Sequence, residues 1–133
     1  MVTMESTTTE KQTMKAPCQN NRKMNSDTYA LRRQVIDFIY ELKQHMTLPR
    51  INVRVTDSKI RGVLGVATMK GNQIWITAEA IKRSPAMMRH VVAHEIGHAV
   101  FGLAHDDKCP LMKPYVSEHE TASDTEIILA LTT

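Results

Sequence analysis

The chain of 133 residues has room for one ordinary domain, and 17 Lys and Arg against 14 Asp and Glu leave it mildly basic at +3. No apolar run reaches membrane-spanning length, and the polar opening residues contain no apolar h-region of the secretory kind. The expectation is therefore no membrane partner, and residence in the cytoplasm or export by a route that uses no such signal. Two cysteines, Cys18 and Cys109, are too few and too differently placed for a disulfide framework.

Residues 1–25 are rich in Thr, Lys, Asn, Gln and Met without periodicity, and read as a disordered polar leader. The domain is expected to span 26–133. Ser26 or Asp27 is placed to cap a helix through about Met46, in which Leu31, Val35, Phe38, Ile39, Leu42 and Met46 recur at three- and four-residue spacing. Leu48-Pro49 ends it. "INVRVTD" then alternates in the manner of a half-buried strand, and "VLGVATM" and "QIWIT" read as two more. Lys70-Gly71-Asn72 between them is hairpin chemistry, while Gly62 and Gly65 suggest a bend or bulge. A short helical turn is expected from Ala78 to Lys82.

The next helix is well punctuated. Ser84 suits the N-cap and Pro85 the first helical position, and the pattern runs on to Gly102, a left-handed stop. Near the end of the chain, Ser123 and Glu126 form an S-x-x-E capping box ahead of an apolar run. This order of helices and strands is that of an α+β domain with a short mixed or antiparallel sheet of about three strands.

The chemistry concentrates in "HEIGHAVFGLAHDD", His94 to Asp107. Four residues apart on a helix, His94 and His98 project from one face about a turn apart. Two neutral imidazoles so placed can hold one Zn²⁺ at roughly 2.0–2.1 Å. Glu95 beside them is positioned to take and return protons as a general base rather than to bind metal. A catalytic zinc needs a third protein ligand and an open position. His105 is the first candidate past Gly102, with Asp106, Asp107, Glu118, His119 and Glu120 as later ones. His90 would put three ligands along one rigid helix, a poor tetrahedral set.

"HEIGHAVFGLAH" followed by "CPLMKPY" resembles the metzincin zinc peptidases, most closely their matrixin branch, whose pattern is HExxHxxGxxH and then a turn with methionine beneath the metal. The resemblance implies His94, His98 and His105 as ligands of one catalytic zinc and Glu95 as base. It implies Met112 as the Met-turn residue and Tyr115 as a lining or oxyanion-stabilising group. "QIWIT" is similar to the edge strand that holds extended substrate in such enzymes, and "SDTEIILAL" to the matrixin C-terminal helix. The long loop that holds further metal ions in secreted matrixins is missing. One departure is specific: six residues separate His98 from His105, where the family usually has five. An added helical residue rotates the exit by about 100°, which the turn at Gly102 must absorb.

The expected activity is zinc-dependent endopeptidase action on a protein or peptide in extended conformation. Cleavage of a cell-wall peptide, or a non-catalytic zinc-stabilised interaction domain with Cys109 or Glu118 as further ligand, are the alternatives. Cys18 is expected to be an ordinary tail cysteine, with blockage of the zinc by its thiol as the rival. Cations between Arg50 and Arg89 are scattered without interleaved aromatics, so no nucleic-acid partner is expected. The oligomeric state is left open.

Overall fold

The computed structural model describes residues 2–6, 26–57, 63–68 and 71–133. Its elements in chain order are β1 (Val2–Ser6), α1 (Ser26–Leu42), β2 (Asn52–Thr56), β3 (Val63–Ala67), β4 (Gln73–Thr77), α2 (Ala78–Arg83), α3 (Pro85–Ala99), β5 (Tyr115–Val116) and α4 (Asp124–Thr132). This is the expected α+β class.

In α1 the apolar stripe is the buried one: Leu31, Val35, Phe38, Ile39 and Leu42 all enter the core. On the solvent side Arg33 and Asp37 form an exposed i,i+4 pair that adds little. The regular helix stops at Leu42, short of the expected Met46. The chain turns there, with bonds from Lys43 N–H to Ile39 O and from Met46 N–H to Leu42 O. The capping side chains of Ser26 and Asp27 lie outside the described residues.

The sheet is larger than the three strands expected. Five strands run in the order β2-β4-β3-β1-β5. β2 pairs β4 in parallel, β3 pairs β4 antiparallel, β1 pairs β3 in parallel, and β5 pairs β1 antiparallel. Two sequence expectations are thereby corrected. Val2–Ser6 was assigned to an unstructured leader, but polar residues without periodicity can still form a strand where two neighbours satisfy the backbone. "QIWIT" was taken for an edge, yet as β4 it is hydrogen-bonded on both sides. The rest of the leader, 7–25, and Gly62 lie outside the described residues.

The hairpin between β3 and β4 has the expected chemistry. Gly71 (φ 77°) and Asn72 (φ 49°) both occupy the left-handed region, which Gly and Asn tolerate best. Lys70 lies outside the described residues. Thr77 caps α2 by accepting from Ala80 N–H, and Ser84 caps α3 by accepting from Met87 N–H, with Pro85 at the first position. α1 packs on β2, α3 packs on β3 and β4, and the two helices touch each other. Because α3 lies between the sheet and the later segments, Met87 through His98 is almost wholly buried, Arg89 being the exception.

α4 starts with the full capping box between Ser123 and Glu126. It is tied to α3 in two places. The Ala122 N–H donates to His90 Nδ1 at 2.8 Å, and the Arg89 guanidinium spans Asp124 and Glu41. No helix among the described residues is long and apolar enough to cross a membrane.

Candidate metal centre

Three histidines converge at the end of α3. His94 is fully buried, His98 is 5 % exposed, and both stand on the helix. His105 comes from the loop beyond, with its side chain exposed. One ligand atom from each lies within 4.8 Å of the other two. The three are close enough to hold a metal ion. Among the described residues no other such group forms, and Cys109, Glu118, His119 and Glu120 do not join this one. The acidic cluster held open as the source of the third donor is thus set aside in favour of His105.

Backbone carbonyls orient the two helical rings. His94 Nδ1 is 2.7 Å from Leu111 O, and His98 Nδ1 is 2.7 Å from Leu103 O. A carbonyl oxygen only accepts, so each Nδ1 carries the hydrogen and each Nε2 of the neutral rings presents a lone pair. The two Nε2 atoms stand 3.1 Å apart. Two lone pairs at that distance repel unless a cation lies between them. Tetrahedral zinc with bonds of roughly 2.0–2.1 Å sets neighbouring donors about 3.3 Å apart, so the pair already matches one edge of such a site. This donor set of neutral imidazoles, each held by a carbonyl behind it, fits zinc.

Burial pushes the His94 pKa down to about 3, against a smaller opposing effect of the Leu111 carbonyl. The His98 pKa is lowered for the same reason, with the Leu103 carbonyl again opposing. Both rings are therefore neutral around pH 7, the form that binds metal.

The late histidine is accommodated in the exit from α3. The helix ends at Ala99, with Val100 as C-cap, short of the expected Gly102. Gly102 follows at φ 66°, and Leu103 N–H reaches back to Gly97 O at 2.9 Å. That span is six residues, one more than the five of a Schellman closure. The extra residue is taken up as a wider closing ring rather than as another step of helix. His105 then sits between this closure and a second one, where Asp106 N–H bonds Met112 O at 2.9 Å.

Met112 is 2 % exposed and lies under the helix where Gly97 has no side chain. A Cβ on Gly97 would come within 2.9 Å of Met112 Sδ. Glu95 is fully buried and faces β3 at Gly65, where a Cβ would meet Glu95 Cγ at 3.1 Å and Oε2 at 3.3 Å. Both glycines belong to the site, and the sequence reading missed the role of each. The signal for Gly97 was present, because glycine inside a helix costs about 1 kcal/mol without a packing reason. Gly65 was expected at a bend or bulge, and the register of β3 against β1 does shift between Val63 and Val66; it is also a point of close strand–helix approach.

Tyr115 is in β5, three residues after Met112, with its side chain 54 % exposed. Cys109 is a half-buried free thiol whose N–H bonds Asp106 O, consistent with a filler in the turn. Cys18 lies outside the described residues. Comparison with protein-family models, curated proteins and solved structures found no match, so geometry and chemistry carry the reading of this site.

Proposed function

We propose that the domain is a zinc-dependent endopeptidase of metzincin character, with His94, His98 and His105 holding one catalytic ion. The observation that carries the reading is the pair of inward-facing Nε2 lone pairs 3.1 Å apart, with a third histidine near and a buried carboxylate next along the helix. A zinc ion in such a site makes water acidic near neutral pH and polarises a carbonyl.

The protein's own residues do the rest. The Leu103 and Leu111 carbonyls hold the rings in the tautomer that donates lone pairs. Glu95 takes a proton from the attacking water and delivers it to the departing amine, so one carboxyl group serves both halves of peptide hydrolysis. Its burial keeps bulk water from competing for that proton. Tyr115, reaching from β5, is the candidate donor to the oxygen that gains charge as the carbonyl is attacked.

The test is a pair of measurements on Glu95→Gln. The variant is expected to bind about one zinc, as a mononuclear site requires, and to lose at least 10²-fold in peptide hydrolysis, typical for loss of a general base. Full hydrolysis by the variant would falsify the mechanism. Zinc uptake without hydrolysis by the unsubstituted chain would favour the non-catalytic interaction domain.

A further inference from the structure

At the edge of the sheet opposite β5 lies β2, which pairs with β4 alone among the described residues. α1 packs on it. Between helix and strand runs a trough of two adjoining hollows of about 400 and 410 Å³, with Arg50 and Ile51 lining both. Each is of the size that small-molecule sites have, about 300–1,000 Å³.

The first hollow has an apolar floor. Ile36 and Ile39 reach it from α1, and Ile51 and Val53 from the strand side. Ile36 stands one position past the core stripe of α1, and both it and Ile51 are only half-buried, so the trough holds apolar surface that the core does not use. Tyr40 borders it, 60 % exposed, with Lys43 Nζ 5.4 Å from its ring centre.

The second hollow is cationic. Arg32 and Arg50 line it, beside Asn52 and Gly71. Arg32 Nε donates to Val53 O at 3.0 Å, which holds the guanidinium against the strand. Among the described residues no acceptor takes the hydrogens of its two Nη atoms. No carboxylate lines either hollow among the described residues. The acids further along α1 are engaged elsewhere, Asp37 with Arg33 and Glu41 with Arg89. Arg32, Lys43 and Arg50 therefore have no described counter-ion.

An anchored guanidinium at the end of an apolar floor suits a ligand that is apolar along its length and anionic at one end. Guanidinium groups bind carboxylate and phosphate oxygens in pairs, and a few placed polar groups orient a ligand in an otherwise apolar site. Addition of a peptide strand fits less well, because the Arg32 side chain already covers a carbonyl of this edge strand. We propose that the trough between α1 and β2 binds a soluble single-chain amphiphile with an acidic head. The oxyanion lies between Arg32 and Arg50, and the chain runs along Ile36, Ile39 and Ile51. No residue of the metal centre takes part.

The probe is sodium dodecanoate, kept below its micellar concentration and titrated by calorimetry into the full-length chain. Saturable binding is expected. Octanoate should bind at least tenfold more weakly, since each methylene buried is worth roughly fourfold. Dodecyltrimethylammonium, with the same tail and a cationic head, should also be at least tenfold weaker. Arg50→Glu, a change at an exposed residue, should weaken dodecanoate at least tenfold through like-charge repulsion. Equal affinity for the two dodecyl heads, unaltered affinity in Arg50→Glu, or no binding of dodecanoate overturns the proposal. Binding to phosphatidylglycerol vesicles without binding of the monomeric acid overturns it too, in favour of a membrane-facing patch. Methyl NMR of the unsubstituted chain locates the ligand without any variant. Shifts are expected at Ile36, Ile39 and Ile51. Shifts centred on Leu103 and Leu111, whose carbonyls hold the histidine rings, would put the acid on the metal centre and overturn the proposal.

Discussion

Two glycines show how single atoms set this site. At Gly65 the nearest obstacles to a Cβ are Val91 Cγ1 at 2.9 Å and the Glu95 side chain, so an added methyl must part strand from helix. Gly65→Ala is expected to cost about 2 kcal/mol, typical of overpacking, with a loss of activity beyond that of stability because Glu95 is displaced. Urea unfolding and kcat measured on the same preparation check this; a variant with normal kcat would contradict the placement of Glu95. At Tyr115 the change to Phe removes the proposed oxyanion donor. A fall of about 10² in kcat at unchanged KM is expected, and an unchanged kcat would leave the tyrosine with no part in the chemistry.

Elements build the candidate metal centre through their ends. The exit of α3 turns at Gly102 in the left-handed region, which costs a residue with a Cβ roughly 1–2 kcal/mol. Strain there falls on the loop that brings His105 back. Gly102→Ala should therefore weaken zinc binding by at least tenfold, measured by competition with a chromophoric chelator, while Gly102→Asn is expected to be milder. Equal affinity in the alanine variant would mean that His105 is not held by this turn. At the start of α4, the capping box contributes to stability instead. Ser123→Ala is expected to lower it by about 1 kcal/mol with no change in zinc affinity, since α4 provides no ligand.

At the scale of the molecule, a buried histidine links α3 to the segment that leads into α4. The Ala122 N–H points at His90 Nδ1, so protonating that nitrogen would set donor against donor. Burial lowers the His90 pKa from 6.5 to about 4, Glu126 opposing only weakly. The unfolded chain therefore binds the proton first. The stability this group protects is complete above pH 6.5, falls by about 3 kcal/mol as the pH drops to 4, and then levels off. Unfolding of the chain and of His90→Gln at pH 7 and pH 4.5 tests the sign. The variant should lose less stability over that interval, and parallel losses would show that His90 is not the group responsible.

Whatever depends on neighbours along the chain is legible in the residues alone. The stripe of α1, the Gly71-Asn72 turn, the caps at Ser84 and Ser123, and the pairing of His94 with His98 are all set by local geometry. Periodicity and capping act within one or two turns, so they are legible without a fold. The third donor was legible only as a choice between His105 and residues 118–120, because no local rule says where a loop returns. The tertiary structure brings His105, and none of residues 118–120, close to His94 and His98, by closing the exit of α3 over six residues onto Gly97. It also decided which strand is an edge, and that residues 2–6 lie in the sheet at all. Strand order is a matter of long-range hydrogen bonding, and a backbone ladder can recruit a polar segment whose own composition says nothing of it. For the same reason Gly65 and Gly97 revealed their roles only once a strand and a methionine were packed against the helix that bears the histidines.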